Sequence, residues 1–110
     1  MSGSDLFTGT LDLLILRTLS DRSLHGYAIA RHIRDTSKGV LDVEEGALYP
    51  ALHRLERKGI LEASWGRTDT NRRAKFYGLT RLGSEKLAAD SERWSHFSTA
   101  VEAVLDPAGS

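Results

Sequence analysis

Apolar residues recur at helical spacing in several segments of the chain and alternate with polar ones in two short segments. The first helix is predicted at about Thr8–Leu19, where leucine and isoleucine cover more than one face. A surface helix has a single apolar stripe, so we expect this helix to be buried on two sides. The second helix is predicted at about His25–Thr36, with Ile29 and Ile33 at helical spacing on its inner face.

A third helix is predicted at about Gly46–Lys58, after a very short strand at Val40–Val43. Pro50 would break the interior of a helix, but in the first turn its missing N–H has no helical partner to lose. The proline therefore indicates that the helix starts near Glu45–Ala47. Its inward stripe, at i, i+4 and i+7, consists of Leu48, Leu52 and Leu55.

The opposite face of this third helix is polar and basic. Tyr49, His53 and Arg57 form one row at i, i+4 and i+8, and Arg54 and Lys58 lie beside that row. A helix of this size fits the major groove of duplex DNA, where side chains reach base edges and phosphates. A solvated surface face can have the same composition, so the pattern alone leaves both interpretations open.

Two alternating segments after this helix predict a β-hairpin. The strands are expected at Ile60–Trp65 and Ala74–Leu79, and Trp65 and Tyr77 are expected to pair across them. The connection at 66–73 is longer than a tight turn and has no apolar anchor. We therefore expect it to project as a mobile, arginine-rich wing.

A long final helix is predicted from a cap at Thr80 to about Leu105. Some 25 residues at the standard rise give a helix of roughly 37 Å, which is longer than a small domain can cover. Its apolar stripe consists of Leu87, Trp94, Phe97, Val101 and Val104. We expect this stripe to pack against a second copy of the chain.

This order of elements predicts a mainly α fold with a small β-hairpin, namely a winged helix-turn-helix domain plus a long C-terminal dimerisation helix. We divide the chain at residue 83. Residues 1–83 form the predicted DNA-binding domain, and residues 84–110 form the dimerisation helix and tail. A chain of 110 residues can bury one modest core.

The positive charge of the chain is concentrated in one segment. Residues 46–83 contain eight Lys or Arg against three Asp or Glu, whereas the whole chain contains fifteen of each. The third helix and the hairpin are therefore basic, and the remainder of the chain is net acidic. The predicted fold would present this basic segment to the phosphates of a nucleic acid.

Other classes of protein are disfavoured by the composition and by the motifs. The chain has no cysteine, which excludes disulfides, thiol nucleophiles and thiolate metal sites. The histidines do not supply three or four converging ligands, and no catalytic triad or phosphate-binding loop pattern occurs. We therefore expect no metal, no cofactor and no enzymatic activity. Neither a signal peptide nor a membrane-spanning segment is predicted, in keeping with a cytoplasmic protein.

Several segments together resemble the PadR family of transcriptional regulators. They are L-D-L-L-I-L at 11–16, L-H-G-Y-A-I at 24–29, G-A-L-Y-P-A-L-H-R-L-E at 46–56, G-I-L at 59–61, Trp65 and F-Y-G-L-T-R-L-G at 76–83. The resemblance covers roughly residues 9–97 and departs from the family at Ser23-Leu24, where a proline is often found. It implies a repressor that dimerises through a single C-terminal helix and is released by a small, often aromatic molecule.

The resemblance and the predicted fold together favour DNA contact for the basic surface. We expect Tyr49 to bind a phosphate, and His53 or Arg54 to reach base edges or the backbone. The wing is expected to contact phosphates or the minor groove. The predicted DNA-binding residues are Tyr49, His53, Arg54, Lys58, Arg67, Arg72, Arg73 and Lys75.

Trp94 and Phe97 on the final helix have two interpretations. They pack in the dimer interface, or Trp94 and its symmetry mate form walls of a pocket for a planar inducer. In the second case helix one supplies the other wall, and the predicted pocket consists of Leu11, Ile15, Trp94 and Phe97. We interpret His25 and Tyr27 as structural residues. Arg31, Arg34 and Lys38 either contact the DNA backbone from the side of helix two or form an ordinary solvated surface, and we favour the surface interpretation.

The sequence therefore predicts a homodimeric, sequence-specific repressor that binds pseudo-palindromic double-stranded DNA and responds to a small aromatic inducer. Its half-sites should lie about one helical turn apart. Two alternatives remain: a winged helix that binds proteins instead of DNA, and a dimer that binds small molecules without binding DNA. An acidic or apolar outward face on the third helix would favour the first alternative, but here that face is basic.

Overall fold

The fold contains four helices and one three-stranded antiparallel sheet. A computed structural model describes residues 3–106 and 108, with side chains described from Gly9 onward. In chain order the elements are α1 Gly3–Thr18, β1 Leu24–His25, α2 Gly26–Thr36, α3 Glu45–Arg57, β2 Leu61–Arg67, β3 Arg73–Leu79 and α4 Arg81–Leu105. The predicted winged helix-turn-helix fold with a long C-terminal helix is confirmed. The first helix begins at Gly3, earlier than the predicted Thr8.

The short strand precedes the second helix. β1 pairs antiparallel with β3, with His25 opposite Phe76, and the sheet order is β1-β3-β2. The strand predicted at Val40–Val43 is wrong, because this segment is irregular and Val40 is 82% exposed. An apolar run forms a strand only where a neighbouring edge supplies hydrogen bonds, and β3 offers that edge to residues 24–25.

The hairpin is longer, and its loop shorter, than the sequence predicted. β2 and β3 stay paired out to Arg67 and Arg73, so the tip of the wing contains only the residues between them. Trp65 stands opposite Lys75, so the predicted pairing of Trp65 with Tyr77 is wrong. Tyr77 lies instead in the core, where it is 2% exposed.

α1 runs through the centre of the molecule and contacts α2, α3 and α4. This placement agrees with the prediction that the first helix would be buried on more than one side. The α1 residues in the core are Leu11, Ile15 and Leu16, with Leu19 directly after the helix, and those of α3 are Leu48, Ala51, Leu52 and Leu55. Each large apolar side chain that is fully buried contributes roughly 1.5–3 kcal/mol, so this α1–α3 contact is a major stabilising interaction that fixes α3.

α4 is anchored at its start and uncovered along much of its length. The Thr80 side chain caps it, as predicted, by accepting a hydrogen bond from the Gly83 N–H at 3.1 Å. Gly83 is the buried residue of this helix, packed against the Ile60 carbonyl oxygen of the hairpin. Large apolar side chains farther along remain exposed, namely Trp94, Phe97, Val101, Val104 and Leu105.

Candidate DNA interface and effector groove

A recess of about 850 Å³ lies between the start of α2, the outward face of α3 and the wing. Aromatic and basic side chains line it, among them Tyr27, Arg31, Tyr49, His53, Arg72 and Arg73. We call this surface the basic recess. It brings together five of the residues that the sequence predicted for DNA contact: Tyr49, His53, Arg72, Arg73 and Lys75.

Tyr49 packs α3 onto the first turn of α2. Its ring covers Gly26 so closely that a Cβ atom at position 26 would lie 2.7 Å from the ring. Glycine at this position therefore allows the two helices of the helix-turn-helix to approach. The half-buried Tyr49 ring lies 6.5 Å from that of the exposed His53, centroid to centroid. Both rings belong to one wall of the basic recess.

Arg54 does not face outward, contrary to the sequence prediction. Its guanidinium makes a bidentate ion pair with Asp12 on α1, at N–O distances of 2.9 and 3.0 Å. The two side chains are 29% and 11% exposed, respectively. Because Arg54 adjoins the fully buried Leu55, its side chain leaves α3 at the edge of the apolar stripe and reaches α1. This bidentate geometry orients α3 against α1.

A second ion pair ties α3 to the hairpin. The Lys75 ammonium group lies 2.9 Å from a Glu56 carboxylate oxygen, and each side chain is 33% exposed. Lys75 also lies 5.6 Å from the centroid of the Tyr77 ring. The α3 helix is thus held on one flank by α1 and on the other by β3. Lys75 remains a predicted DNA contact, but Glu56 already offsets part of its charge.

These contacts change the pKa values of three side chains in the same direction. The hydrogen bond to Asp12 raises the pKa of Arg54, and the hydrogen bond to Glu56 raises the pKa of Lys75. Burial raises the pKa of the Tyr77 hydroxyl because it disfavours the phenolate. Near neutral pH both cations are therefore fully charged and Tyr77 is uncharged.

Hydrogen bonds within the wing shape its tip. The Thr68 N–H donates to the Arg72 carbonyl oxygen at 2.9 Å, and the Arg72 N–H donates to the Thr68 hydroxyl at 3.2 Å. The Arg67 guanidinium donates to the Asn71 carbonyl oxygen at 3.2 Å. These bonds occupy backbone polar groups of Thr68, Asn71 and Arg72, while the arginine side chains stay exposed. Arg67 and Lys58 lie outside the basic recess, and their predicted DNA contacts stay predictions.

Trp65 and Tyr27 also line the basic recess, which the sequence analysis did not predict. They are 61% and 63% exposed, so the interpretation of Tyr27 as a packed structural residue is wrong. Its ring instead stacks on His25, at 6.4 Å between centroids and 12° between planes. Arg31, for which the sequence favoured an ordinary surface role, is exposed and also lines this recess. The alternation of side chains along the strands could have predicted the position of Trp65, since it puts this residue on the same face as the basic residues of β3.

A second concave surface, of about 1080 Å³, lies between the start of α1 and the middle of α4. Trp94 and Phe97 form its α4 side, with ring centroids 6.0 Å apart. The α1 side consists of Gly9, Thr10 and Leu13. Leu11 and Ile15, which the sequence placed in this pocket, are core residues with exposures of 6% and 0%. We call this surface the α1–α4 groove.

The charged residues of the α1–α4 groove compensate one another. Asp90, whose side chain is 14% exposed, pairs with Lys86 at 2.9 Å and also with Arg93. These three residues line the same groove as the aromatic pair of Trp94 and Phe97. The groove therefore combines a stacking surface with paired charges, in contrast to the excess of cations in the basic recess.

The described part of the chain offers neither a metal site nor a membrane-spanning helix. Within it, no group of three or more His, Asp or Glu side chains could hold a metal ion. No helix in the same residues is both long and apolar enough to cross a membrane. The side chains that line the two concave surfaces are suited to binding through stacking, charge and apolar contact.

The architecture defines a class of protein. Helices α2 and α3 meet at Gly26 and Tyr49, α3 presents its outward face beside the basic wing, and the long helix α4 follows. This is the arrangement of winged-helix transcriptional regulators. The model of the Transcriptional regulator PadR-like family matches residues 15–89, and the chain therefore belongs to that family. The resemblance in the sequence is confirmed, and transcriptional regulators of this family are not enzymes.

Similar proteins span nearly the whole chain. A transcriptional regulator from Clostridium thermocellum has 28% identity and a TM-score of 0.79, covering 89% of this chain and 95% of its own. A PadR family transcription regulator from Clostridium difficile has 27% identity and a TM-score of 0.75, over 86% and 97%. An uncharacterized protein from Lysinibacillus sphaericus is 28% identical over 106 residues, which are 96% of this chain and 97% of the relative.

Proposed function

We propose that this protein is a homodimeric, sequence-specific DNA-binding repressor whose affinity for its operator responds to a small aromatic ligand. The observation that carries the proposal is the basic recess, where the outward face of α3 and the arginines of the wing form one surface. A helix beside a basic wing can enter the major groove while the wing reaches the backbone or the adjacent minor groove. This role places the protein in the cytoplasm, with the DNA.

Residues in the recess have different roles in this proposal. His53 is exposed on α3 and reaches base edges, while the Tyr49 hydroxyl bonds a phosphate. Arg72 and Arg73 bind phosphates or line the minor groove. Arg54 acts indirectly, because its bidentate pair with Asp12 sets the orientation of α3.

The dimer follows from the uncovered stripe of α4. Trp94, Phe97 and Val101 are between 37% and 43% exposed, and Val104 is 79% exposed. A second copy packed antiparallel or parallel along this stripe would remove these side chains from water. A twofold dimer then presents two α3 helices to successive major grooves, and its operator is a pseudo-palindrome with half-sites about one turn apart.

The ligand response rests on the α1–α4 groove. The flat Trp94 indole in this groove offers offset stacking to a planar aromatic molecule. In the proposed dimer the symmetry mate of Trp94 supplies a further wall. A ligand changes DNA affinity only if it prefers one spacing of the two subunits over another. Release of the operator follows if that preferred spacing does not match the operator's half-sites.

The test begins with selection of bound duplexes from a random DNA pool, followed by fluorescence anisotropy with the selected duplex. We expect a palindromic consensus, a stoichiometry of two chains per duplex, and affinity that falls steeply as salt increases. No preference for any duplex at low ionic strength would overturn DNA binding and favour the protein-binding alternative. A monomer at micromolar concentration in sedimentation would overturn the dimer.

A further inference from the structure

Trp65 and Arg73 form a stacked pair near the tip of the wing. The Arg73 guanidinium carbon lies 4.4 Å from the centroid of the Trp65 ring. At this distance the cation is attracted to the face of the indole, and more strongly where water is excluded. Trp65 is nevertheless 61% exposed, so it does not serve mainly to fill the core.

Strand alternation fixes the direction in which this pair points. Trp65 stands opposite Lys75, and Arg73, two residues before Lys75, shares its face of the sheet. Lys75 is bonded to Glu56 of α3 at 2.9 Å, so this face of the hairpin looks toward α3. Trp65 and Arg73 accordingly both line the basic recess beside α3.

We propose that Trp65 is a positioning residue for Arg73, holding its guanidinium over the basic recess in the orientation that meets phosphodiester oxygens of duplex DNA. The inference rests on the proposed DNA-binding function. An exposed arginine loses rotamer freedom when it binds, and a stacked arginine has already lost part of it. A planar guanidinium can stack and still donate N–H groups in its own plane to a phosphate.

The test is a double-mutant cycle on operator affinity, measured by fluorescence anisotropy at several salt concentrations. Trp65→Ala should weaken binding about fivefold in the native background, the upper end for an exposed cation–π contact. In the Arg73→Ala background the same change should cost less than about twofold, since no guanidinium remains to be positioned. Trp65→Phe, which keeps a ring face, should restore part of the affinity.

Arg72 provides the matched control. It is the neighbouring arginine on the same wing, and its backbone N–H bonds the Thr68 hydroxyl. Arg72→Ala removes the same charge as Arg73→Ala, so its effect should add to that of Trp65→Ala without coupling. Arg73→Lys keeps the charge but not the planar group, and its affinity should respond less to Trp65→Ala than that of native Arg73.

Two outcomes would overturn the positioning role. Equal losses from Trp65→Ala in the native and Arg73→Ala backgrounds would mean that the indole touches DNA itself. An unchanged affinity for Trp65→Ala would mean that the stack does not assist binding. Thermal melts of every variant check folding, and Trp65→Leu replaces the alanine variant in the cycle if that one is unfolded. If native protein binds no duplex, the proposed function fails as well, whereas DNA binding without coupling removes only this inference.

Discussion

The two tryptophans of the molecule lie on concave surfaces of opposite character. Trp65 is 61% exposed beneath the Arg73 guanidinium in the basic recess, and Trp94 is 43% exposed beside Phe97 in the α1–α4 groove. Exposure alone does not separate them, since both side chains are exposed to solvent. The neighbours of the two tryptophans distinguish them, because a cation beside an indole suits a polyanion, whereas a phenyl ring beside an indole suits an apolar partner.

Helix α1 connects the α1–α4 groove with α3, whose outward face lines the basic recess. Leu13 of α1 lines the α1–α4 groove, and Asp12, the preceding residue, forms an ion pair with Arg54 of α3. A shift of α1 at the groove would therefore move α3 directly, through an ion pair and a packed core.

Removing the wing arginines should affect DNA binding alone. We expect Arg72→Ala combined with Arg73→Ala to weaken operator binding on the order of a hundredfold, because two charge-assisted contacts are lost. The slope of log affinity against log salt should fall by about two. Anisotropy titrations measure both quantities, and sedimentation should give an unchanged dimer.

The control for this pair is Arg17→Ala combined with Arg81→Ala, which removes the same charge. Both of these arginines are exposed and line neither concave surface. If the control reduces affinity and salt slope equally, binding responds to overall charge, and the wing has no specific role.

Trp94→Ala should affect dimerisation. We expect the dimer dissociation constant to rise by about thirtyfold or more, as for a central aromatic residue of an interface. Trp65→Ala is the matched control and should leave the dimer dissociation constant unchanged. Sedimentation equilibrium measures the dimer dissociation constants of both variants and of the native protein. Equal dissociation constants for the native protein and Trp94→Ala would exclude the groove from the interface.

Asp12→Asn tests how much the ion pair of Asp12 with Arg54, which joins α1 to α3, stabilises the fold. We expect the free energy of unfolding to fall by about 1–2 kcal/mol, a figure below that for a fully buried pair because Arg54 is partly exposed. Asp35→Asn, which disrupts the exposed pairs of Asp35 with Arg31 and Arg34, should cost less than about 0.5 kcal/mol. Urea denaturation compares the two variants, and similar losses would mean that the Asp12–Arg54 pair does not stabilise α3.

Alkaline pH should produce the smallest effect. The pKa values of Lys75 and Tyr77 are raised in the folded state, so the folded protein holds these protons more tightly than the unfolded chain. Their contribution to stability is present below about pH 10 and is lost as pH rises through the folded pKa values. Urea midpoints should fall above pH 10, and less steeply in Tyr77→Phe. A midpoint that rises with pH would contradict the assigned direction.

The features that the sequence predicted correctly depend on residues close together in the chain. The Leu48–Leu52–Leu55 stripe, the Thr80 cap and the long final helix each follow from local periodicity or from a capping side chain. The grouping of Tyr49, His53, Arg72 and Arg73 followed from the order of elements and the resemblance together.

The features that the sequence did not predict depend on distant partners. β1 has two residues and exists because the edge of β3 pairs with it, about fifty positions later. The partner of Arg54 is Asp12, 42 positions away, so its inward direction had no local signal. The apolar residues of α1 extend around the helix, and periodicity could not decide that Leu11 and Ile15 face the core while Leu13 faces the groove.

The contact of Gly83 with the Ile60 carbonyl leaves no room for a Cβ atom, and the Thr80 hydroxyl bonds the Gly59 carbonyl 2.6 Å away. This junction fixes the angle at which α4 departs. Over roughly 37 Å of helix, a tilt of about 5° would displace the far end by about 3 Å, close to the rise of one base pair. In a dimer built on α4, Gly83 would therefore help to set the distance between the two α3 helices, and with it the length of the spacer between the operator half-sites. Gly83→Ala would change the preferred spacer length without changing any residue that contacts a base.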